Sequence, residues 1–181
     1  AHAIEACDRA ARLMEQLLLL ARLEEAPPES SRTRVDLAEV ARRVVAEAAP
    51  RALAAGMTLG VEGADRAHVH GDEALLEAAL RNLVDNAVRY GVPGTDVRVL
   101  LGCEGGRVTA IVEDDDPGVT EADLGRLGQR FQRGESAGAP GSGLGLSIVA
   151  SIATTHRGTF ALARGPGGRG VRATLTLSRV D

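Results

Sequence analysis

Asn82 and Asn86 are four residues apart, and Arg89 and Tyr90 follow within the next turn if the segment is helical. Residues three and four apart are neighbours on a helix surface, so these side chains share one stripe. Two neutral amide oxygens and a guanidinium can hold Mg²⁺ and triphosphate oxygens, because hard cations take oxygen ligands and Arg pairs with phosphate through two donors. The same stripe also reads as the ordinary polar edge of an amphipathic helix.

Asp114, Asp115 and Asp116 crowd a turn ahead of Pro117-Gly118. One carboxylate at a strand end can accept a hydrogen bond from an adenine amino group. A Mg²⁺-binding acidic cluster and a solvated turn are the alternatives. Further on, Gly141-Ser142-Gly143-Leu144-Gly145-Leu146 leads into a helix, where glycines let backbone N–H groups approach phosphate at the positive helix end. This turn lacks the three-glycine spacing of the dinucleotide fingerprint, and no Gly-Lys-Ser/Thr occurs, so the Rossmann and P-loop readings both fail.

The elements that must position these groups are legible as periodic runs. Leu75, Leu76, Ala79, Leu80, Leu83, Val84 and Ala87 give a helical face behind the Asn stripe, opened by Gly71-Asp72. Leu37, Val40, Ala41, Val44, Val45 and Ala48 give another, entered from a short strand at Val35-Asp36-Leu37 and with Pro50 near its end. Met57 to Val61 and Ala67 to His70 read as short strands. Val97, Val99 and Leu101 alternate with polar neighbours, as do Val108, Ala110 and Val112, and Gly105-Gly106 between them marks an antiparallel hairpin. Residues 135–143 read as a loop rich in Gly, Ser, Ala and Pro before a helix with Leu144, Ile148, Val149 and Ile152, and a last hairpin joins Thr159–Leu162 to Val171–Leu177. Adjacent strand pairs separated by helices predict an α+β fold, a two-layer α/β sandwich with a mixed, mainly antiparallel sheet.

Ahead of this body, Ala6, Ala10, Leu13, Leu17 and Leu20 recur every three or four residues, with Leu18 and Leu19 widening the face. That predicts an N-terminal helix in a bundle, over residues 1–26, joined through a Pro-containing linker at 27–32 to a main domain at 33–181.

The 181 residues carry 44% hydrophobic and 25% charged side chains, which excludes collagen-like and wholly disordered classes. A net charge of −4 gives no electrostatic footprint for nucleic acid, so none is expected as a partner. All 21 basic residues are Arg and Ala occurs 30 times, a bias that reads as genome composition. Cys7 and Cys103 have no motif spacing, which fits packing residues in a reducing cytoplasm rather than a disulfide or zinc site. No apolar run approaches the roughly 20 residues of a membrane helix, so no membrane contact is expected here. His68 and His70 alternate on a strand without a third ligand, and His156 reads as a structural cap.

Arg81–Tyr90, Val112–Val119, Arg130-Phe131-Gln132-Arg133 and Gly141–Val149 occur in this order, and on them the chain resembles the catalytic, ATP-binding domain of bacterial sensor histidine kinases, of the GHKL or Bergerat type. The four segments look like that family's N, G1, F and G2 boxes, and residues 8–24 look like the second helix of its dimerisation and phosphoacceptor hairpin. The resemblance implies ATP and Mg²⁺, with Asn82 and Asn86 serving metal and phosphates, Arg89 and Tyr90 lining the nucleotide, and Asp114 binding the adenine amino group. It implies that Gly118, Gly141, Gly143, Leu144 and Gly145 shape the pocket and its lid and that Phe131 anchors the lid. Arg130 or Arg133 would reach the terminal phosphate, with Asn82 and Arg133 as the catalytic pair. A response regulator, a homodimer through the helical hairpin and a cytoplasmic position below an inner-membrane sensor are implied partners and place.

Two departures stand out. Asp116 occupies a position where the G1 pattern usually has Gly, which predicts weakened nucleotide affinity. The phosphoacceptor helix is missing, and His2, followed by Ala-Ile-Glu, does not match an acceptor, so the chain is expected to bind ATP without phosphorylating itself. The competing readings are a GHKL ATPase or serine kinase acting on a partner protein, and an interaction module with a degenerate nucleotide site.

Overall fold

The computed structural model describes Met14, residues 16–21 and 23, residues 32–115 and residues 144–180. The main body runs β1 (Thr33–Asp36), α1 (Leu37–Ala54), β2 (Thr58–Gly63), β3 (His68–Gly71), α2 (Glu73–Tyr90), β4 (Asp96–Glu104) and β5 (Arg107–Asp114). It continues with α3 (Gly145–Thr155), β6 (Thr159–Arg164) and β7 (Val171–Ser178), and residues 16–21 are helical as well.

Local chemistry sets the helix starts. Asp36 caps α1 by accepting from Ala38 N at 3.1 Å, and the same oxygen accepts from Ala67 N at 2.9 Å, tying the start of α1 to β3. Asp72 caps α2 by accepting from Leu75 N at 3.1 Å. The helix expected to end near Pro50 runs on to Ala54. Pro50 and Ala46 both lie on the exposed side, so the carbonyl that loses its partner to proline faces water.

Five strands form one mixed sheet in the order β2-β4-β5-β7-β6, with β2 and β4 parallel and every other neighbour pair antiparallel. β1 and β3 stand apart as their own two-stranded antiparallel sheet, with Asp36 opposite His68. Val97, Val99 and Leu101 of β4, Val108, Ala110 and Val112 of β5, and Ala173, Leu175 and Leu177 of β7 alternate inward. They meet Leu76, Ala79, Leu80 and Leu83 of α2 and Ile148, Val149 and Ile152 of α3 in one continuous core. Each fully buried Leu there contributes about 1.5–3 kcal/mol by leaving water.

The described residues of the N-terminal segment join this core on one side. Leu20 is buried and Leu19 and Leu23 pack beside it, whereas Met14, Leu17 and Leu18 are exposed. The single face expected to carry both Leu17 and Leu20 is therefore split: positions 16, 19, 20 and 23 face the domain, and 14, 17 and 18 face away. Each set obeys the helical three-and-four spacing, so the sequence pattern alone does not separate them.

Candidate functional site

α2 and α3 pack side by side in the helix layer. Asn82 donates its Nδ2 to Ala78 O at 2.8 Å, a bond to the preceding turn that turns Oδ1 away from its own helix. Across the gap stands Gly145, the first residue of α3. A Cβ on Gly145 would lie 3.1 Å from Asn82 Oδ1, 3.3 Å from Asn86 Nδ2 and 3.6 Å from Asn86 Oδ1. Three of the sequence-predicted residues are thus brought together: the two amides face the glycine, where an added Cβ would sit tighter than ordinary contact. No hydrogen bond within the described residues engages the Asn86 amide.

The start of α3 has no side-chain cap. Its first N–H groups lack intrahelical partners and sit at the positive end of the helix dipole, a setting that suits an anion. Amide oxygens of two Asn, suited to a cation, and N–H groups without intrahelical partners, suited to phosphate, therefore adjoin each other. This donor set fits a magnesium-bound polyphosphate: both amides are half-buried and no Cβ at Gly145 stands between them and the start of α3. Leu144, just before the helix, is fully buried, so it anchors the start of α3 to the core.

Asp114 ends β5 opposite Val97 and, by the two-residue period, lies on the same helix-covered side as Val112. Its Oδ1 accepts from Val171 N at 3.2 Å. Gly170 closes on it from the next strand: with φ +61°, a Cβ there would come within 2.6 Å of Asp114 Oδ1 and overlap the Asp114 carbonyl. Gly165 approaches the same carbonyl, where a Cβ would lie 3.3 Å away. Asp115 turns elsewhere, accepting from Asp96 N at 2.9 Å and so closing the β4 end. Of Asp114 and Asp115, the two described members of the triplet, Asp114 is therefore the carboxylate held on the helix side of the sheet.

Arg89 and Tyr90 occupy the last turn of α2 and are both exposed. Asp116, Gly118, Arg130, Phe131, Arg133, Gly141 and Gly143 lie outside the described residues, as do His2 and Cys7.

Three neighbours of the site were not singled out by sequence reasoning. Gly170 and Val171 hold Asp114 across the sheet, and the Gly165–Gly170 turn was their only signal. Gln16, in the N-terminal segment, donates its Nε2 to Asn82 Oδ1 at 3.2 Å. Nothing local in the sequence marks a contact between residues so far apart.

The other singled-out residues serve the frame. His156 accepts from Asp72 N through Nε2 at 3.0 Å, which leaves Nδ1 to donate to Ile152 O at 2.8 Å. It joins the end of α3 to the start of α2, as a cap would, and burial lowers its pKa. Among the described residues no His, Cys, Asp and Glu cluster has metal-binding geometry, and His68 lines only a surface hollow with Arg34, Asp36, Glu39 and Glu73. Cys103 is a half-buried free thiol beside the core. No helix of the described residues is long and apolar enough to cross a membrane.

The family described as "Histidine kinase-, DNA gyrase B-, and HSP90-like ATPase" matches residues 71–181, from the start of α2 through the last strand. Over 153 residues, 82% of the chain, it is 40% identical to Sensor protein QseC of Escherichia coli O157:H7, of which it spans 32%. Full-length ShkA, solved in complex with AMPPNP, superposes with a TM-score of 0.83 at 27% identity, covering 97% of this chain and 37% of that one. The cytoplasmic segment of histidine kinase QseC superposes at 0.65 and 26% identity, covering 96% and 95%. The chain thus spans about a third of the length of the curated relatives it matches. It belongs to the histidine kinase-, DNA gyrase B- and HSP90-like ATPase family, as a catalytic domain homologous to those of sensor histidine kinases.

Proposed function

We propose that this chain is the ATP-binding catalytic region of a two-component sensor histidine kinase, which transfers the γ-phosphoryl of ATP to a His outside this sequence and thence to an Asp of a response regulator. The observation that carries the reading is the meeting of Asn82 and Asn86 at the Cβ-free face of Gly145. The glycine brings the two amides and the first backbone N–H groups of α3 closer than a residue with a Cβ would leave them.

In this reading Asn82 and Asn86 hold Mg²⁺ through their amide oxygens, and the start of α3 receives phosphate oxygens. Mg²⁺ supplies neutralisation of phosphate charge, the main requirement of phosphoryl transfer. Asp114, oriented by Val171 N–H, accepts the adenine amino group. Arg89 and Tyr90 flank the nucleotide, Gly118, Gly141 and Gly143 shape the lid, Phe131 anchors it, and Arg130 or Arg133 meets the terminal phosphate.

Residues 1–26 are then the second helix of a dimerisation hairpin, 27–32 the linker and 33–181 the catalytic domain, in the cytoplasmic part of an inner-membrane sensor that works as a homodimer. The exposed Met14, Leu17 and Leu18 support a helical partner on that side.

A calorimetric titration with ATP and Mg²⁺ tests the site, beside Asn86→Ala and Asp114→Asn. Saturable binding lost in both variants is the expected result. No saturation at millimolar ATP sinks the reading and favours a nucleotide-free interaction module.

A further inference from the structure

The alternation of β5 breaks at its end. Val112 is buried toward the helices, and its neighbour Glu113, which the two-residue period turns to the face of the sheet away from the helices, is only 4% exposed. Two arginines bury it. Arg172 of β7, directly opposite, donates from Nε to Glu113 Oε2 at 2.9 Å, and Arg98 of β4, opposite on the other side, places Nη2 3.6 Å from Oε1.

Glu113 is withdrawn from water while Arg172 and Arg98 stay partly exposed, so the cost of desolvating the carboxylate offsets much of the attraction and the pairs recover little net stability. What such a pair does supply is a definite position. This one sits where position matters: Glu113 immediately precedes Asp114, and Arg172 immediately follows Val171, whose N–H holds Asp114 Oδ1 at 3.2 Å. One peptide link on each side separates the ion pair from the carboxylate contact, across the same two strands. The arginines also compensate one charge in the acidic run Glu113–Asp116, which otherwise opposes an incoming polyphosphate.

We propose that Glu113 and Arg172 are positioning residues for the base-recognising carboxylate. They hold the ends of β5 and β7 in register on the face of the sheet away from the helices so that Asp114, on the helix-covered face, meets the 6-amino group of adenine. Arg98, at longer range, is an auxiliary. The proposal rests on the nucleotide reading above and names the residues that sharpen its base selectivity.

The test measures affinity of the full 181-residue chain, with Mg²⁺, for ATP and for purine riboside triphosphate, which lacks the 6-amino group. Thermal denaturation runs in parallel. Glu113→Gln keeps shape and removes charge, while Arg172→Lys keeps charge and removes the Nε donor, so a folding failure of one leaves the other. Both variants are expected to weaken ATP about tenfold, the scale of one misaligned charge-assisted hydrogen bond, with the amino-free nucleotide unchanged. Arg98→Gln is expected to stay within about twofold of wild type for both ligands. Equal weakening of both nucleotides, or a lower melting temperature at an unchanged affinity ratio, overturns the positioning role while leaving the nucleotide reading intact. A wild-type chain that binds neither nucleotide overturns that reading and this one with it.

Discussion

Gly145 and Asn82 face each other so closely that a Cβ on the glycine would stand 3.1 Å from the Asn82 side-chain oxygen. Such a gap is tighter than ordinary contact but not a clash, so a methyl group there is accommodated by moving the amides. Two effects of substitution then run in opposite directions.

Gly145→Ala improves helix propensity at the start of α3 by up to about 1 kcal/mol, because Ala restricts the unfolded chain and Gly does not. It also pushes Asn82 and Asn86 off the cation position. The melting temperature is expected to hold or rise while Mg-ATP affinity falls about tenfold, the cost of a misplaced oxygen ligand or hydrogen bond. Calorimetry beside thermal denaturation reads both. A joint fall of stability and affinity would mean that the glycine serves packing and not the site.

Gln16 donates to the same Asn82 oxygen at 3.2 Å, so the N-terminal segment and a cation compete for one acceptor. A net hydrogen bond is worth about 0.5–1.5 kcal/mol, hence Gln16→Ala is expected to tighten Mg-dependent nucleotide binding by about two- to tenfold. Nucleotide binding measured in EDTA should not change. If affinity rises equally with and without Mg²⁺, the gain comes from opening the domain face rather than from freeing Asn82.

These relationships also show where sequence reading stops. α2 and the β4–β5 hairpin were legible because their apolar residues keep a strict period over long runs, and Asp72 marks the start of α2 by its capping chemistry. The pairing of β1 with β3 was not, since two four-residue strands carry too little pattern to state which sheet they join. Asn82 and Asn86 were legible as a stripe on one helix, but the glycine they face belongs to another helix. Asp114 was visible as a carboxylate at a turn, while its holders Gly170 and Val171 lie more than fifty residues away in a segment whose glycines suggested only a turn. Glu113 was hidden for a different reason: alternation placed it on the face away from the helices, and cross-strand arginines, not the strand's own period, bury it.

His156 gives the fold a pH dependence of defined sign. Burial favours the neutral ring and Arg32 adds to that, while the Ile152 carbonyl and Asp72 oppose it, and the net pKa is lowered. The folded protein therefore binds this proton less readily than the unfolded chain. Its contribution is fully present above the unfolded value near 6.5 and is lost as pH falls below it. Protonation would also turn Nε2 into a donor facing the Asp72 N–H, breaking the link between α3 and α2. Urea midpoints from about pH 5 to 7.5 should rise with pH in wild type and flatten in His156→Gln. An unchanged slope in the variant assigns the dependence to another group. Asp36 and Glu77, whose pKa values are lowered, stabilise the fold above their unfolded values of 3.8 and 4.5 and lose that contribution as pH falls below them, a separate window.

Gly170 and Gly167 provide a matched pair, because both take positive φ, +61° and +71°, in the same turn. An alanine at either position meets the left-handed backbone cost of roughly 1–2 kcal/mol. At Gly167 nothing lies within 4 Å of the added Cβ, so that cost is the whole effect. At Gly170 the Cβ would overlap the Asp114 carbonyl and come within 2.6 Å of Oδ1, so β7 must part from β5 at the Val171–Asp114 hydrogen bond. Gly167→Ala is expected to lower stability by about the backbone term while leaving ATP affinity unchanged. Gly170→Ala should lower stability further and abolish measurable preference for ATP over purine riboside triphosphate, since the carboxylate that reads the amino group is displaced. Equal losses of stability in the two variants, with the preference retained, would show that the close approach of Gly170 to Asp114 is relieved without moving the carboxylate.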